Sequence, residues 1–223
     1  MSGSSQRLRS RIFIIGVVLL IAGPSRAEVF SDLYLGAAIT GDSSYVVNGI
    51  ALPGSLLCLS QCSSATSPVG GVRIGYYTER FPWLGVAGDF SAFIAGWGIE
   101  SPYEVAAFPI SALVMIRAPL LKREGYPNGR VQPYLALGPS LVVSTAELSS
   151  GWAFLGTGHL STDVSVDAGF DGRLGVRILG SDWISVLLEY RLTYFSPSWT
   201  VEWNTVSSDY WTNHFTLGFG IHY

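Results

Sequence analysis

The sequence predicts an all-β protein, an eight-stranded antiparallel up-and-down transmembrane β-barrel preceded by a cleaved signal peptide. Beyond residue 27, bulky apolar residues recur at every second position, which is the period of a strand with two different faces. Only 13% of the 223 residues are charged and 48% are hydrophobic. Yet no apolar run after residue 27 approaches the ~18 residues of a membrane-spanning helix. High hydrophobicity divided into short alternating segments is typical of spanning strands.

The first 27 residues have the composition of a secretory signal peptide. Arg7, Arg9 and Arg11 precede an apolar run at 12–23, and small residues end the segment at Ala27. We predict cleavage near Ala27, which divides the chain into a signal peptide (1–27) and a β-barrel domain (28–223). A retained anchor helix is the alternative, but an apolar run of 12 residues is too short to span a bilayer.

Eight segments alternate between bulky apolar residues and small or polar ones, and each is predicted to form one strand. They cover approximately 30–40, 69–78, 83–94, 105–118, 131–145, 163–179, 184–195 and 213–223. The sixth is the most regular, because valine, phenylalanine, leucine and isoleucine alternate there with Asp171, Arg173 and Arg177. The fourth is the least regular, because Pro109 cannot donate a hydrogen bond to a neighbouring strand.

The connections between these segments alternate in length. Short or moderate turns follow the second, fourth and sixth strands, whereas longer segments lie at 41–68, 95–104, 146–162 and 196–212. One end of the molecule is therefore predicted to have tight turns and the other large loops. Aromatic residues near strand ends are predicted to form girdles at the membrane interfaces: Trp83, Trp97, Tyr103, Trp183 and Tyr223.

The polar faces of the strands distinguish a membrane barrel from a secreted β-sandwich, which is the alternative fold. Solvated strand faces usually carry lysine, glutamate and threonine, whereas these carry glycine, alanine, serine and isolated charges that suit a crowded interior. Five acids and five arginines balance there, and arginine favours buried, multiply hydrogen-bonded pairs. We predict a structural charge network in the lumen, with a gated proton or ion path as the alternative. Its members are Asp32, Arg73, Asp89, Arg117, Asp167, Asp171, Arg173, Arg177, Glu189 and Arg191.

Several segments resemble the OmpA/OmpX-like eight-stranded barrels of the outer membrane protein β-barrel domain family. They are "PWLGVAGDFSAF", "VQPYLALGPSLVVS", "DAGFDGRLGVRI", "SVLLEYRLTYF" and "HFTLGFGIHY", and the resemblance extends from about residue 30 to residue 223. It implies an integral protein of a Gram-negative outer membrane. The last residue is tyrosine where phenylalanine is commoner, and no peptidoglycan-binding domain follows, so that role is not implied.

The expected function is a barrel with a side-chain-plugged lumen and a structural or surface-interaction role, without catalysis, cofactor or metal. Eight strands enclose a space that side chains can fill, which disfavours the alternative of a small pore for ions or solutes. The expected partners are outer-membrane lipids, lipopolysaccharide, the barrel assembly machinery and an unidentified extracellular ligand, and the expected state is a monomer. Without the four arginines of residues 1–27, nine bases face sixteen acids, and a net charge of −7 argues against nucleic acid.

A lipid-modifying hydrolase is the further alternative. His159 and Ser161 lie two residues apart, hence on one face if extended, and Asp171 is a potential acidic partner. Outer-membrane lipid A deacylases resemble this pattern, but the other motif residues around their pair are not found here.

Three further features carry predictions. The alternating C-terminal residues Phe215, Leu217, Phe219, Ile221 and Tyr223 are similar to the signal that the outer-membrane assembly machinery recognises. The fourth long loop contains a candidate surface-binding group of four aromatic residues: Trp199, Trp203, Tyr210 and Trp211. The alternative is an extended hairpin whose aromatic residues pack on each other or at the outer-leaflet boundary. Cys58 and Cys62 are predicted to form a disulfide in an exported protein rather than a zinc site.

Overall fold

The computed structural model describes residues 28–41, 45–52, 65–95, 103–148, 163–201 and 204–223. The predicted signal peptide lies outside these residues. In the described part of the chain, no helix has the length and apolarity needed to cross a bilayer. The strands there are β1 (Glu28–Thr40), β2 (Tyr45–Val47), β3 (Ile50–Leu52), β4 (Ala65–Tyr77), β5 (Leu84–Ala95), β6 (Tyr103–Arg117), β7 (Val131–Leu148), β8 (Asp163–Leu179), β9 (Ile184–Phe195), β10 (Ser198–Val201), β11 (Asn204–Ser208) and β12 (Tyr210–His222).

Eight of these strands close into an antiparallel barrel in the order β1-β12-β9-β8-β7-β6-β5-β4. The predicted fold class is confirmed, and the predicted strand ends differ from the observed ones by no more than four residues. The seam joins the first and last strands, which pair from Phe30 with His222 to Thr40 with Thr212. Because every barrel strand has two neighbours, no sheet edge is left unpaired toward a membrane.

Pro109 lies inside β6, as the alternation predicted, and its effect on the sheet is local. The β5–β6 ladder is interrupted between the pairs Phe90–Ile110 and Phe93–Ala107. The ladder to β7 continues past the same residue, which is paired there with Val142. The missing N–H of proline therefore affects the pairing on one side of the strand only.

The two faces of the barrel strands differ as the alternation predicted. Outward side chains are apolar and exposed, with 59% of Leu33, 64% of Leu188 and 63% of Phe219 accessible. Their sequence neighbours Asp32 and Glu189 are buried in the lumen. Trp83 and Trp183 are exposed at one end of the barrel, whereas Trp97 lies outside the described residues. An apolar outer band flanked by aromatic residues is the surface that a bilayer requires.

The two ends of the barrel are built differently. At the turn end, segments 78–83, 118–130 and 180–183 connect strands, and Val29 and Tyr223 exchange two backbone hydrogen bonds of 3.2 and 2.8 Å.

At the loop end, four short strands form a second sheet in the order β10-β11-β2-β3, which the sequence did not predict. Asn48 and Gly49 both have positive φ (51° and 80°) in the β2–β3 turn, where these residue types favour a tight hairpin.

Candidate functional site in the barrel lumen

Side chains occupy the lumen in successive apolar and charged layers. A cluster of apolar and aromatic residues, including Phe93, Phe195 and Trp199, occupies the loop end. A second cluster, including Phe30, Tyr77 and Met115, lies toward the turn end. The largest group of charged side chains lies between the two clusters, and a smaller group around Arg117 lies at the turn end. Inward positions therefore alternate along the barrel axis between apolar and ionic layers, although the sequence predicted mainly small and charged residues there.

Arg173 is the centre of the ionic layer. Its guanidinium approaches both carboxylate oxygens of Asp89 on β5 at 2.7 Å. It also donates to both oxygens of Asp171, two residues away on the same strand, at 3.1 and 2.8 Å. Glu189 Oε1 lies 3.5 Å away. None of these side chains is accessible to solvent, so the guanidinium is neutralised entirely by protein carboxylates.

Arg73 joins a second group of acids to the same layer. Its Nε donates to Asp32 Oδ2 at 2.9 Å, and its Nη1 donates to Glu189 Oε2 at 2.6 Å. Asp32 Oδ2 also accepts from Arg177 Nη2 at 2.6 Å. The hydroxyl of Tyr134 donates to Glu189 at 2.6 Å. Glu189 is thus shared between the groups around Arg73 and Arg173, which makes the layer one connected network.

Arg191 extends the network toward β5 and β1. Its Nε donates to Asp171 Oδ1 at 3.1 Å, and its Nη1 donates to Ser91 Oγ at 2.7 Å. The hydroxyl of Tyr34 donates to Asp89 at 2.8 Å. Neutral hydroxyl groups therefore fill hydrogen-bonding positions that the arginines leave open around the carboxylates.

The charges in this central network balance. Arg73, Arg173, Arg177 and Arg191 face four acids, namely Asp32, Asp89, Asp171 and Glu189, and all eight are at most 3% exposed. Burial of an isolated charge is strongly unfavourable, whereas paired and hydrogen-bonded charges can persist in a dry interior. The arrangement therefore neutralises its own charge within the lumen.

The other two predicted members lie apart from the central network. Asp167 is half-buried on β8 toward the loop end and accepts from Ser165 Oγ at 2.6 Å. Arg117 lies at the turn end, where its guanidinium is paired with Glu28 at 2.6 Å. The prediction grouped all ten residues because alternation shows which face of a strand a residue occupies. It does not show the position of the side chain along the barrel axis.

Glu28 is a functional candidate that the sequence analysis missed. Besides Arg117, its carboxylate accepts from Asn128 Nδ2 and lies beside His222 Nδ1, both at 2.8 Å. The other ring nitrogen of His222 is 2.8 Å from Ser185 Oγ. These contacts connect the start of β1 with β6, the following turn and β12. Glu28 lies two positions before Phe30 and four before Asp32, both of which face inward. This alternation is the signal that could have identified it.

The aromatic-loop prediction requires correction. Trp199 and Tyr210 are only 2% and 1% exposed, because they pack inside the barrel mouth and cannot contact an external ligand. The Tyr210 ring stacks on Phe195 at 5.2 Å, and Trp199 meets Tyr210 edge-on at 6.3 Å. Trp211 is 51% exposed on the outer face, and Trp203 lies outside the described residues. Mutual packing, the alternative, describes Trp199 and Tyr210 correctly.

The remaining candidates are placed only in part. Cys58, Cys62, His159 and Ser161 lie outside the described residues. Asp171, the suggested acidic partner of His159 and Ser161, is buried among Arg173, Arg191 and Ser111. Within the residues that the structure does describe, no group of three or more histidine, cysteine, aspartate or glutamate side chains could hold a metal ion.

Comparisons with known proteins agree with this architecture. Residues 12–222 match the family described as "Outer membrane protein beta-barrel domain". Neisserial surface protein A is similar in structure, with a TM-score of 0.56 and 16% identity over 89% of this chain and 98% of its own. OprG of Pseudomonas aeruginosa has a TM-score of 0.54 and 14% identity over 88% of this chain and 95% of its own. Such identities show a common fold alone. No curated protein sequence matches the chain significantly.

Proposed function

Because the chain belongs to the outer membrane protein β-barrel domain family, we propose that it is a closed, non-catalytic barrel that serves the outer membrane structurally or through surface contacts. Its location in the outer membrane follows from the family. The role of its lumen and of its loops is our proposal. The neighbouring structures are named as a surface protein and an outer membrane protein, and neither name describes a reaction.

The central network of four arginines and four acids is the observation that carries the proposal. A solute that crossed the lumen would have to separate pairs such as Arg173–Asp89 and Arg73–Glu189, whose side chains are completely buried. Removing one partner of a buried ion pair typically costs about 3–5 kcal/mol. The apolar clusters above and below the network add two further barriers. These features favour a packed plug over a pore.

The export route and the partners form part of the same proposal. We expect residues 1–27 to be removed near Ala27 and the assembly machinery to recognise the C-terminal alternation that ends at Tyr223. Phe215, Leu217 and Phe219 are 54%, 55% and 63% exposed on the outer face, which makes their side chains accessible to a recognising surface. Outer-membrane lipids and lipopolysaccharide are the proposed surroundings of a monomeric barrel, with any extracellular ligand bound at the loop end.

A solute-flux measurement tests the closed lumen. The refolded protein is inserted into phosphatidylcholine vesicles, and swelling is followed after addition of potassium chloride or sucrose. We expect the swelling rate of protein-free vesicles, because a solute would have to break the buried ion pairs to cross the lumen. A general porin at the same protein-to-lipid ratio serves as the positive control. Flux that depends on solute size, and that scales with the amount of folded barrel, would contradict the proposal.

A further inference from the structure

The turn between β6 and β7 (residues 118–130) is longer than the other turns at this end and has a fixed backbone. Leu120 and Val131 exchange backbone hydrogen bonds of 2.9 and 3.3 Å, which extend the β6–β7 ladder into the turn. Tyr126 donates from its hydroxyl to the carbonyl of Gly180 in the neighbouring turn at 3.1 Å. The turn is therefore anchored both to its own strands and to the β8–β9 turn, and it presents a defined surface.

Two adjacent leucines on this turn are exposed. Leu120 is 48% and Leu121 is 61% accessible, and Leu120 follows Ile116 along the outward apolar face of the barrel. Leu121 has φ of +53°, in the left-handed region that leucine rarely adopts. A residue held there is strained, and such strain is concentrated at functional positions. The chain thus retains an unfavourable backbone conformation while presenting an apolar side chain outside the barrel.

Exposed basic residues are confined to the same end of the molecule. Beyond residue 27 the sequence has nine bases, and five of them are lumen arginines. The other four are exposed, and all lie in turns at the turn end: Arg80, Lys122, Arg123 and Arg130. Lys122 is the single lysine of the whole sequence.

Three of these four bases belong to the β6–β7 turn. Within the described ranges, Lys122 and Arg123 form neither a side-chain hydrogen bond nor an ion pair, although Glu124 is adjacent. The Arg130 guanidinium lies over the ring of Tyr126, 5.7 Å from its centre. The positive charges of Lys122 and Arg123 are therefore available to an external anion.

The height of this group matches the polar layer of a membrane. Trp83, which is 45% exposed, accepts a backbone hydrogen bond from Arg117 at 2.8 Å, and exposed tryptophans mark the bilayer interface. Leu120 lies three residues beyond Arg117, or about 10 Å along an extended chain. Because barrel strands are tilted, the rise along the bilayer normal is smaller than this distance. The headgroup region extends about 5–8 Å beyond the hydrocarbon. Leu120 and Leu121 thus lie near the headgroup layer, directly beside Lys122 and Arg123 in sequence.

We propose that the β6–β7 turn is a binding site for an anionic phospholipid in the leaflet at the turn end. The lipid phosphate binds Lys122 and Arg123, and the side chains of Leu120 and Leu121 contact the upper part of the acyl chains. This site rests on the membrane location that underlies the proposed function but not on a closed lumen. If the barrel conducted solutes and still showed this lipid preference, the proposal of a closed lumen would fail and the lipid site would stand.

Native mass spectrometry of the folded protein in neutral detergent tests the site. Phosphatidylglycerol and phosphatidylcholine of identical acyl chains compete for the barrel, and retention of each lipid is measured. We expect phosphatidylglycerol to be preferred. The double variant Lys122→Gln/Arg123→Gln should weaken its retention about tenfold or more, because each base near a membrane surface contributes about fivefold. Leu121→Asn, which tolerates the left-handed backbone but removes the apolar contact, should also weaken it.

Two controls make the experiment decisive. Arg80→Gln removes an exposed base from another turn at the same end, and we expect little change. Heat-modifiable gel mobility verifies that every variant is folded. Equal retention of both lipids, full retention by the double variant, or an equal loss in Arg80→Gln would each overturn the site. Competition by millimolar inorganic phosphate as effective as phosphatidylglycerol would show a simple anion site and would also overturn the lipid assignment.

Discussion

Arg173 on β8 and Asp89 on β5, which are 84 positions apart in sequence, form a paired contact across the lumen with two nitrogen–oxygen distances of 2.7 Å. Strands β7 and β6 separate β8 from β5 in the barrel. The contact therefore does not depend on the backbone hydrogen bonds of the sheet. It joins β5 and β8, which the sheet connects only through the two strands between them. Because its side chains are completely buried, solvent and salt screen the pair much less than they would a surface pair.

The substitution Arg173→Ala should destabilise the barrel severely. It leaves Asp89 buried without its main cationic partner and Asp171 paired with Arg191 alone. Breaking a buried pair costs about 3–5 kcal/mol. We expect the temperature at which the refolded protein loses its heat-modifiable gel shift to fall. Arg80→Ala, which removes an exposed arginine, is the control and should leave it unchanged. An unaltered transition in Arg173→Ala would argue against the network.

Two strand glycines should respond differently to substitution by alanine. A Cβ at Gly138 would collide with the backbone carbonyl of Ala112 on β6, whereas a Cβ at Gly88 would meet nothing within 4 Å. Overpacking usually costs about 1–3 kcal/mol, and a backbone neighbour cannot move aside as a flexible side chain can. Gly138→Ala should lower the refolding yield and the urea midpoint of unfolding, and Gly88→Ala should change neither. Equal behaviour of the two variants would contradict the observed close approach of β6 and β7.

Trp199 should contribute to stability rather than to ligand binding. Trp199→Ala opens a cavity in the cluster with Phe195 and Tyr210, and truncation of a buried tryptophan costs about 3–5 kcal/mol. Trp211→Ala is the matched control, since that ring is half exposed on the outer face. We expect a lower gel-shift temperature for Trp199→Ala and a smaller change for Trp211→Ala. The reverse order would mean that Trp199 does not support the barrel mouth.

A charged extension after Tyr223 should impair assembly. Tyr223 exchanges backbone hydrogen bonds with Val29 at the seam and directs a 77% exposed ring outward. Four added aspartates would place charge beside the segment that we expect the assembly machinery to recognise. The outer-membrane fraction of the folded protein should decrease, while a neutral Gly-Ser extension of equal length controls for length alone. Normal insertion with the acidic tail would exclude the terminal residues as an assembly signal.

The sequence predicted the faces of the strands but not the contacts within the lumen. Strict alternation located Arg173 and Asp89 on the inner face, because period two assigns each residue to one side. Which pairs form depends on register and on height along the barrel. The pairing of Arg173 with Asp89 rather than with Asp167 therefore could not be derived from one sequence.

Residues near the strand ends were predicted least well, for a physical reason. Trp199 is an even number of positions from the inward residues Phe195 and Glu189, and Tyr210 is an even number of positions from inward His214. Both therefore continue the inward faces of the strands beyond the expected strand ends. Because residues 196–212 were predicted to form a single loop, their alternation was not assigned to strands. The short strands β2 and β3 have only three residues each, too few for a periodic signal.

A double-mutant cycle between Asp89 and Arg173 tests most directly whether the lumen charges act as one network. Urea unfolding of the vesicle-inserted barrel is measured for the wild type, Asp89→Asn, Arg173→Met and the double variant. Each single substitution should be strongly destabilising. The double variant should lose less than the sum of the two losses, with a coupling of about 1–3 kcal/mol, as contacting residues in a shared network show. Losses that add to within about 0.5 kcal/mol would show two independent sites and would contradict a connected network in the lumen.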